Sequence, residues 1–236
     1  MSKIAAIIPA SGTGVRMGQR IAKPYLLMDS IPILVHTLRV FEESPLIDAI
    51  ILVVRNNDKT NVHDDIILPF GFTKVTNIVS GGEMRQDSIR NALPFLADNH
   101  CLVVVHDGVR PLVEHHILEQ VIEAAQRTGA AIVGVPVKDT CKTIDTNFFV
   151  QKTINRHGLY QIQTPQVFKK EILLAAYQEA YQNGFYGTDD ASLVEQMGLP
   201  IKVVTGSYEN IKITTPDDLY RAEFIVRERK LKRICL

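Results

Sequence analysis

Short apolar runs recur along the chain at Ile4–Ile8, Ala49–Val54, Val75–Val79, Cys101–Val105 and Ala130–Val137. Each is long enough for a buried parallel strand and too short for a helix. Between most of them apolar positions return with a helical period, which predicts helices over Ile33–Glu42, Met84–Leu96 and Glu114–Arg127, and later over Lys170–Gln182 and Asp189–Met197. A last helix opens at Thr215-Pro216-Asp217-Asp218, where threonine caps, proline suits the first helical position and the acids suit the positive helix end. Just before it, Asn210–Thr214 reads as a late strand. Strands alternating with helices predict βαβ units, hence an α/β fold with a mostly parallel sheet covered on both faces.

One stretch departs from this alternation. Lys138–Gln163 is polar and mixed, with β-branched and aromatic residues scattered through Thr143, Ile144, Phe148, Phe149, Val150 and Ile154. A structureless loop of that length is uncommon in a compact domain, so the segment reads as a protruding β-arm. Exposed Phe148-Phe149-Val150 would be a liability on a monomer, which favours burial against a second copy over the other reading, a lid folded onto its own domain. The 236 residues otherwise read as a single domain, 1–236, with the arm at 138–163 as an excursion.

Composition narrows the classes. Hydrophobic residues at 46% suffice for a sizeable core, while Lys plus Arg and Asp plus Glu balance at 26 each. The net charge therefore gives no reason to expect nucleic acid or an anionic membrane as partner, and any anion binding must be local. Met1-Ser2-Lys3 leads straight into the first strand, which leaves no room for a signal peptide, and no apolar run approaches the ~20 residues of a membrane span. The expected location is the cytoplasm. Cys101, Cys141 and Cys235 are widely spaced and read as reduced thiols. The histidines lack metal-ligand spacing, and His115-His116 fall at the exposed start of a helix.

Candidate chemistry lies just after the strands, where open parallel sheets bind ligands. After the first, Pro9-Ala10-Ser11-Gly12-Thr13-Gly14-Val15-Arg16 leads to Lys23, a glycine-rich loop with two cations. It fits neither the dinucleotide fingerprint, which needs glycine where Met17 stands, nor the P-loop, which needs Gly-Lys-Ser/Thr. A plain strand-to-helix turn is the bland reading; Arg16 and Lys23 favour a phosphate site. After the third strand, Ser80-Gly81-Gly82-Glu83-Met84-Arg85-Gln86-Asp87-Ser88 suits either a base-reading backbone with the Ser88 hydroxyl or a turn with an N-cap. After the fourth, His106-Asp107-Gly108-Val109-Arg110-Pro111 offers a carboxylate suited to Mg²⁺ shared with phosphates, or an Asp–Arg pair bracing the loop. Arg156 and Lys212 are either anion ligands or solvated charges.

In order, PASGTGVRM with Lys23, SGGEMRQDS, VHDGVRP, VPVKDT at the start of the arm, NRHGLYQIQTPQ, GTDDAS and NIKITTPDDL resemble the 2-C-methyl-D-erythritol 4-phosphate cytidylyltransferases of the non-mevalonate isoprenoid pathway. The resemblance covers nearly the whole chain. It implies a Rossmann-like nucleotidyltransferase core, a homodimer formed through the arm, and Mg²⁺-dependent joining of CTP to methylerythritol phosphate with release of pyrophosphate. It also implies a catalytic set of Arg16, Lys23, Arg156 and Lys212, the first two stabilising the transition state and the last two positioning the substrate. Ala10, Ser11, Gly12, Gly14, Gly82 and Ser88 would contact the nucleotide. Asp107, Arg110, Thr140 and Thr188, with Arg156 and Lys212, would bind the polyol phosphate; Asp107 would hold the metal, and Thr140 and Arg156 would reach the partner subunit's site. One departure is Lys23-Pro24-Tyr25, where the family commonly has glutamine after the lysine, which puts the loop geometry in question. Two other readings fit: a CDP-ribitol synthase, which the Asn155–Tyr160 run resembles less, and a non-catalytic nucleotide-binding regulator.

Charge alone suggests the mechanism. A phosphate monoester has its second pKa near ~6, so it is largely dianionic at neutral pH and needs no general base. What remains is in-line positioning and neutralisation of developing charge by Arg16, Lys23 and Mg²⁺.

Overall fold

The computed structural model describes residues 3–12 and 22–234. Its strands are β1 (Lys3–Pro9), β2 (Leu27–Met28), β3 (Ile31–Pro32), β4 (Ala49–Val54), β5 (Val75–Ser80), β6 (His100–Val105), β7 (Ala130–Pro136), β8 (Cys141–Ile144), β9 (Val150–Ile154), β10 (Tyr160–Lys169) and β11 (Lys202–Thr205). The α-helices are α1 (Ile33–Glu43), α2 (Lys59–Val62), α3 (Arg85–Ala92), α4 (His115–Thr128), α5 (Lys170–Gln182), α6 (Asp190–Gln196) and α7 (Pro216–Ile234).

Seven strands make one sheet in the order β11-β7-β10-β6-β1-β4-β5. Every pairing in it is parallel except the two made by β10. Alternation along the strands divides the core. Ile4, Ala6 and Ile8 of β1, with Ile50, Leu52 and Val54 of β4, pack beneath Leu34, Leu38 and Phe41 of α1 and Leu118, Val121 and Ile122 of α4. Their neighbours Ala5, Ile7, Ile51 and Val53 pack beneath Ile89 of α3, Leu173 and Tyr177 of α5 and Val194 of α6. Both faces being covered explains why β1 and β4 read as unbroken apolar runs. Phe41 is fully buried and stacks obliquely on His106 with ring centroids 5.1 Å apart, so the core directly supports the loop after β6. Truncating a buried phenylalanine to alanine costs about 3–5 kcal/mol.

The structure revises several expectations. Residues 210–214 lie outside the sheet; the late strand is β11, and Ile213 instead enters a small cluster with Met28, Ile33 and Ala222. The β-branched content read as a strand serves loop packing. The helix expected over Met84–Leu96 stops at Ala92 and continues as a 3₁₀ turn, Leu93–Phe95, because Pro94 cannot sit inside an α-helix. The arm is shorter than 138–163: its body is the β8–β9 hairpin, and by Tyr160 the chain already pairs with Pro136 in the main sheet. The helix at Thr215 is capped as expected, with Asp218 accepting from the Thr215 N–H at 2.8 Å and the Thr215 hydroxyl accepting from the Asp218 N–H at 3.3 Å.

Candidate active site

The strand order reverses beside β1, which runs toward β4 and β5 on one side and β6 on the other. The crevice at the carboxyl ends of strands at such a switch point is where this architecture binds ligands. A cavity of about 470 Å³ opens there, lined by Pro9 to Gly12 after β1, by Lys23 and Pro24, by Gly82 to Arg85 with Ser88, by Asp107 and Val109, and by Lys212 to Thr214. Ala10, Ser11, Gly12, Lys23, Gly82, Ser88, Asp107 and Lys212 thus meet around one space. Arg16 and Gly14 lie outside the described residues.

The turn after β5 is built on close approach. A Cβ on Gly81 would fall 2.4 Å from the Ser11 Cβ, and one on Gly82 would fall 2.3 Å from the Asp87 Cβ. Only glycine fits at either position. The Ser88 hydroxyl accepts from the Gly82 N–H at 3.0 Å, donates to the Met84 carbonyl at 3.0 Å and lies 3.0 Å from the Ser11 hydroxyl. It therefore frames the turn and fastens it to the loop after β1. Lys23 is nearly buried in the short turn Lys23–Tyr25, whose bonds use the N–H groups of Tyr25 and Leu26. Residue 24 donates nothing, so proline is accommodated there without loss.

Asp107 is 5% exposed and held from three sides. Arg85 Nε donates to its Oδ1 at 3.0 Å, Lys212 Nζ lies 2.8 Å from Oδ2, and Arg110 Nε lies 3.6 Å from Oδ2. Burial alone would raise the carboxyl pKa, but Arg85, Lys212 and Arg110 outweigh it and hold the group far below the usual carboxylate range. Lys212 reaches this place because its segment is pinned: the Arg110 guanidinium donates to the Asn210 carbonyl at 2.9 Å, Asn210 Nδ2 donates to the Thr164 carbonyl at 2.9 Å, and the Ile213 N–H donates to the Val109 carbonyl at 2.9 Å.

His106 is fully buried and does not line the cavity. The Asp107 N–H donates to Thr164 Oγ1 at 3.1 Å, which leaves the Thr164 hydroxyl to donate to His106 Nδ1 at 3.1 Å and His106 Nε2–H to donate to the Arg110 carbonyl at 2.9 Å. Burial lowers its pKa to about 4. A neutral imidazole with both nitrogens engaged braces the loop and is not a general base.

The remaining candidates lie elsewhere. Thr188 is exposed on the loop before α6 and does not line this cavity. Thr140 and Arg156 are exposed at the base of the arm, where Arg156 donates to the Lys138 carbonyl. Arg156 lines a separate recess with Pro136, Val137 and residues Asn155–Tyr160. Asp107, its two oxygens already bonded to Arg85 and Lys212, does not fit a metal held by the protein. Among the described residues, no group of three or more His, Cys, Asp and Glu side chains gathers to hold an ion. Cys101 and Cys141 are free thiols; Cys235 lies outside the described residues.

Sequence reasoning passed over Arg85, Asp190 and Gln166, although each sits within a quoted motif. Arg85 bridges Asp107 and Asp190, and Gln166 of β10 donates to Asp189 at 2.7 Å while accepting from the Ala191 N–H at 3.0 Å, which seats the start of α6. A charged residue flanked by helical apolar positions gives no local sign that it will be buried.

Comparison with known proteins agrees with this fold. The family model described as IspD, 2-C-methyl-D-erythritol 4-phosphate cytidylyltransferase, matches residues 4–228. The protein of that name from Syntrophus aciditrophicus is 48% identical over 228 residues, covering 97% of each chain. The one from Desulforamulus reducens is 45% identical over 229 residues, covering 97% of this chain and 98% of the relative. Among solved structures, 4-diphosphocytidyl-2C-methyl-D-erythritol synthase from Anaerococcus prevotii superposes with a TM-score of 0.84 at 35% identity, covering 96% of both chains. The 2-C-methyl-D-erythritol 4-phosphate cytidylyltransferase from Thermus thermophilus superposes at 0.78 with 29% identity, covering 95% of this chain and 99% of that one. The chain belongs to the IspD family of cytidylyltransferases.

Proposed function

We propose that the protein joins CTP to 2-C-methyl-D-erythritol 4-phosphate, giving 4-CDP-2-C-methyl-D-erythritol and pyrophosphate. The observation that carries this reading is the meeting of Lys23, Arg85, Lys212 and Asp107 with a glycine-framed turn around one cavity, in a chain of this family. A phosphate oxygen of the polyol phosphate attacks the α-phosphorus of CTP, that P–O bond forms, and the α–β bridging P–O bond breaks with its electrons leaving on pyrophosphate. The cytosine end lies at the Gly81–Gly82 turn and the triphosphate at the loop after β1. Arg16 and Lys23 meet the charge that develops on the transferring phosphoryl group. Lys212, beside Asp107 in the lining, receives the acceptor phosphate, with Arg110 bracing Asp107 and the Asn210 carbonyl outside the lining. The acceptor is already anionic and needs no general base, so it is no obstacle that no histidine among the described residues lines the cavity.

Both Asp107 oxygens are engaged, and among the described residues no group of three or more His, Cys, Asp and Glu side chains gathers to hold an ion, which argues that Mg²⁺ enters bound to the triphosphate; no step above runs through the ion. Arg156 and Thr140, with the exposed tip Phe148-Phe149-Val150, fit a homodimer in which the arm completes the partner's site. Among the described residues no helix is long and apolar enough to cross a membrane, which accords with a cytoplasmic enzyme. Pyrophosphate release from CTP, assayed with methylerythritol phosphate, with ribitol 5-phosphate and with neither, tests the reading. Turnover with methylerythritol phosphate alone is expected. Preference for ribitol phosphate would identify a CDP-ribitol synthase, and no turnover with either would indicate a regulator.

A further inference from the structure

The cavity network runs from its lining back to α6, and its hub is a lining residue with no assigned role, Arg85. Arg85 opens α3, directly after the turn that frames the nucleotide end. Its Nε donates to Asp107 Oδ1 at 3.0 Å and its Nη1 to Asp190 Oδ2 at 2.8 Å. Asp190 is 1% exposed, and its other oxygen accepts from the Tyr177 hydroxyl at 2.5 Å. The third guanidinium nitrogen, Nη2, is buried and has no hydrogen-bond partner among the described residues. Among the described residues the two carboxylates are the groups that orient this guanidinium, whose side chain is 29% exposed. The next two residues make the same crossing: Gln86 donates to the Phe185 carbonyl at 2.9 Å and accepts from the Gly187 N–H at 2.9 Å, and Asp87 accepts from the Tyr186 hydroxyl at 3.1 Å. The start of α3 is thus fastened to the loop 185–190, and Arg85 alone carries the connection inward to Asp107.

We propose that Arg85 is a positioning residue for the acceptor: by fixing Oδ1 of Asp107 from below, it leaves Oδ2 to set the place of Lys212 at the mouth of the cavity. This assignment rests on the cytidylyltransferase reading. Lys212 is 41% exposed in its side chain and pairs with Asp107 Oδ2 at 2.8 Å, so its preferred position follows the orientation of that carboxylate. A carboxylate freed on the Arg85 side can rotate toward Lys212 and draw it away from the incoming phosphate. The burden then falls on the acceptor, because the Gly81–Gly82–Ser88 frame has its own hydrogen bonds and does not use the Arg85 guanidinium.

Steady-state kinetics of Arg85→Ala, Arg85→Lys, Asp107→Asn and the double variant Arg85→Ala/Asp107→Asn test this, with folding checked by thermal unfolding. Arg85→Ala is expected to raise KM for methylerythritol phosphate by about tenfold or more while KM for CTP stays within about threefold, the split that marks a lost acceptor interaction. Arg85→Lys restores the charge without the fork and should fall between wild type and alanine. If Arg85 acts through Asp107, adding Arg85→Ala to Asp107→Asn should cause little further loss. An unchanged acceptor KM in a folded Arg85→Ala enzyme overturns the assignment. Equal losses for both substrates, or full additivity in the double variant, overturn it as well, since they mark a merely structural role. Should Arg85→Ala fail to fold, the Arg85→Lys and Asp107→Asn pair carries the same comparison. A wild-type chain that releases no pyrophosphate with methylerythritol phosphate overturns the functional reading itself, and this assignment with it.

Discussion

The cavity wall and the β-arm hold their charges in opposite ways. Asp107 is buried and gripped by Arg85, Lys212 and Arg110, and the whole loop after β6 is braced by His106, Thr164 and Asn210. Arg156 on the arm is exposed and bonds only to a carbonyl of its own arm, Thr140 beside it is exposed, and no residue of the arm lines the cavity that holds Lys23. A preorganised wall meets charge without reorganising at the moment of reaction. An outward-facing arm is useful to a site other than the one its own subunit builds. That division underlies the proposal that each site is completed in trans.

The largest effect should come from the wall. Lys23→Ala, and likewise Arg16→Ala, should cut turnover by at least ~100-fold with the fold intact, the scale of losing one oriented charge stabiliser. If either stays within a few-fold of wild type in the pyrophosphate assay, the cavity's cations are not the catalyst. Next comes the turn. Gly82→Ala places a methyl 2.3 Å from the Asp87 Cβ, so the frame must shift, and the CTP KM should rise about tenfold. The same tight frame should make ATP and GTP poor substrates beside CTP; equal use of ATP would remove the base site from this turn.

A pH effect of intermediate size follows from His106. An unfolded histidine titrates near ~6.5, whereas buried His106 does so at about 4. Between those values the unfolded chain binds the extra proton, so stability is fully present above the unfolded pKa and is lost as pH falls toward the folded one. The loss is up to ~1.4 kcal/mol per pH unit from this group. His36 and His100, whose pKa values burial also lowers, add the same sign. Urea unfolding at several pH values should show the decline, and a folded His106→Gln variant should flatten it; an unchanged slope would mean that His106 is not buried neutral. The smallest effect on the isolated chain belongs to the arm tip. Phe148 and Phe149 are 82% and 71% exposed, so Phe148→Ser/Phe149→Ser should move unfolding of the monomer by no more than ~0.5 kcal/mol. The same double change should weaken self-association measured by sedimentation, and no shift in that equilibrium would argue against an arm-mediated dimer.

The same comparison separates what the sequence made legible from what it hid. Unbroken apolar runs betrayed the inner strands, since a strand covered on both faces has no polar side to confuse the pattern. β10 escaped notice because Tyr160, Gln161 and Gln163 make its first half polar, and it joins the sheet antiparallel between two parallel neighbours. β11 is a four-residue edge strand with little apolar content to mark it. Among the candidate residues, those named for their position after strand ends do gather at the cavity, as the switch-point rule leads one to expect. Arg85 and Asp190 were missed because their importance lies in each other: the Arg85 guanidinium and the Asp190 carboxylate meet across 105 residues, and neither motif announces its partner. The stretch with Ser88 reads from the sequence as a base contact or as a turn with an N-cap; its hydroxyl bonds the Gly82 N–H and the Met84 carbonyl and so frames the turn.

Subunit mixing tests most directly the claim that the wall acts in its own subunit and the arm in its neighbour's. Lys23→Ala and Arg156→Glu homodimers should each be nearly inactive. In a mixed dimer one site takes Lys23 from the Arg156→Glu chain and Arg156 from the Lys23→Ala chain, so it is intact, while the other carries both lesions. Random reassociation of equal amounts makes about half the dimers mixed, each with one good site, so about a quarter of wild-type activity should return. If heterodimers form and no activity returns, Arg156 serves its own subunit and the arm is a lid in cis.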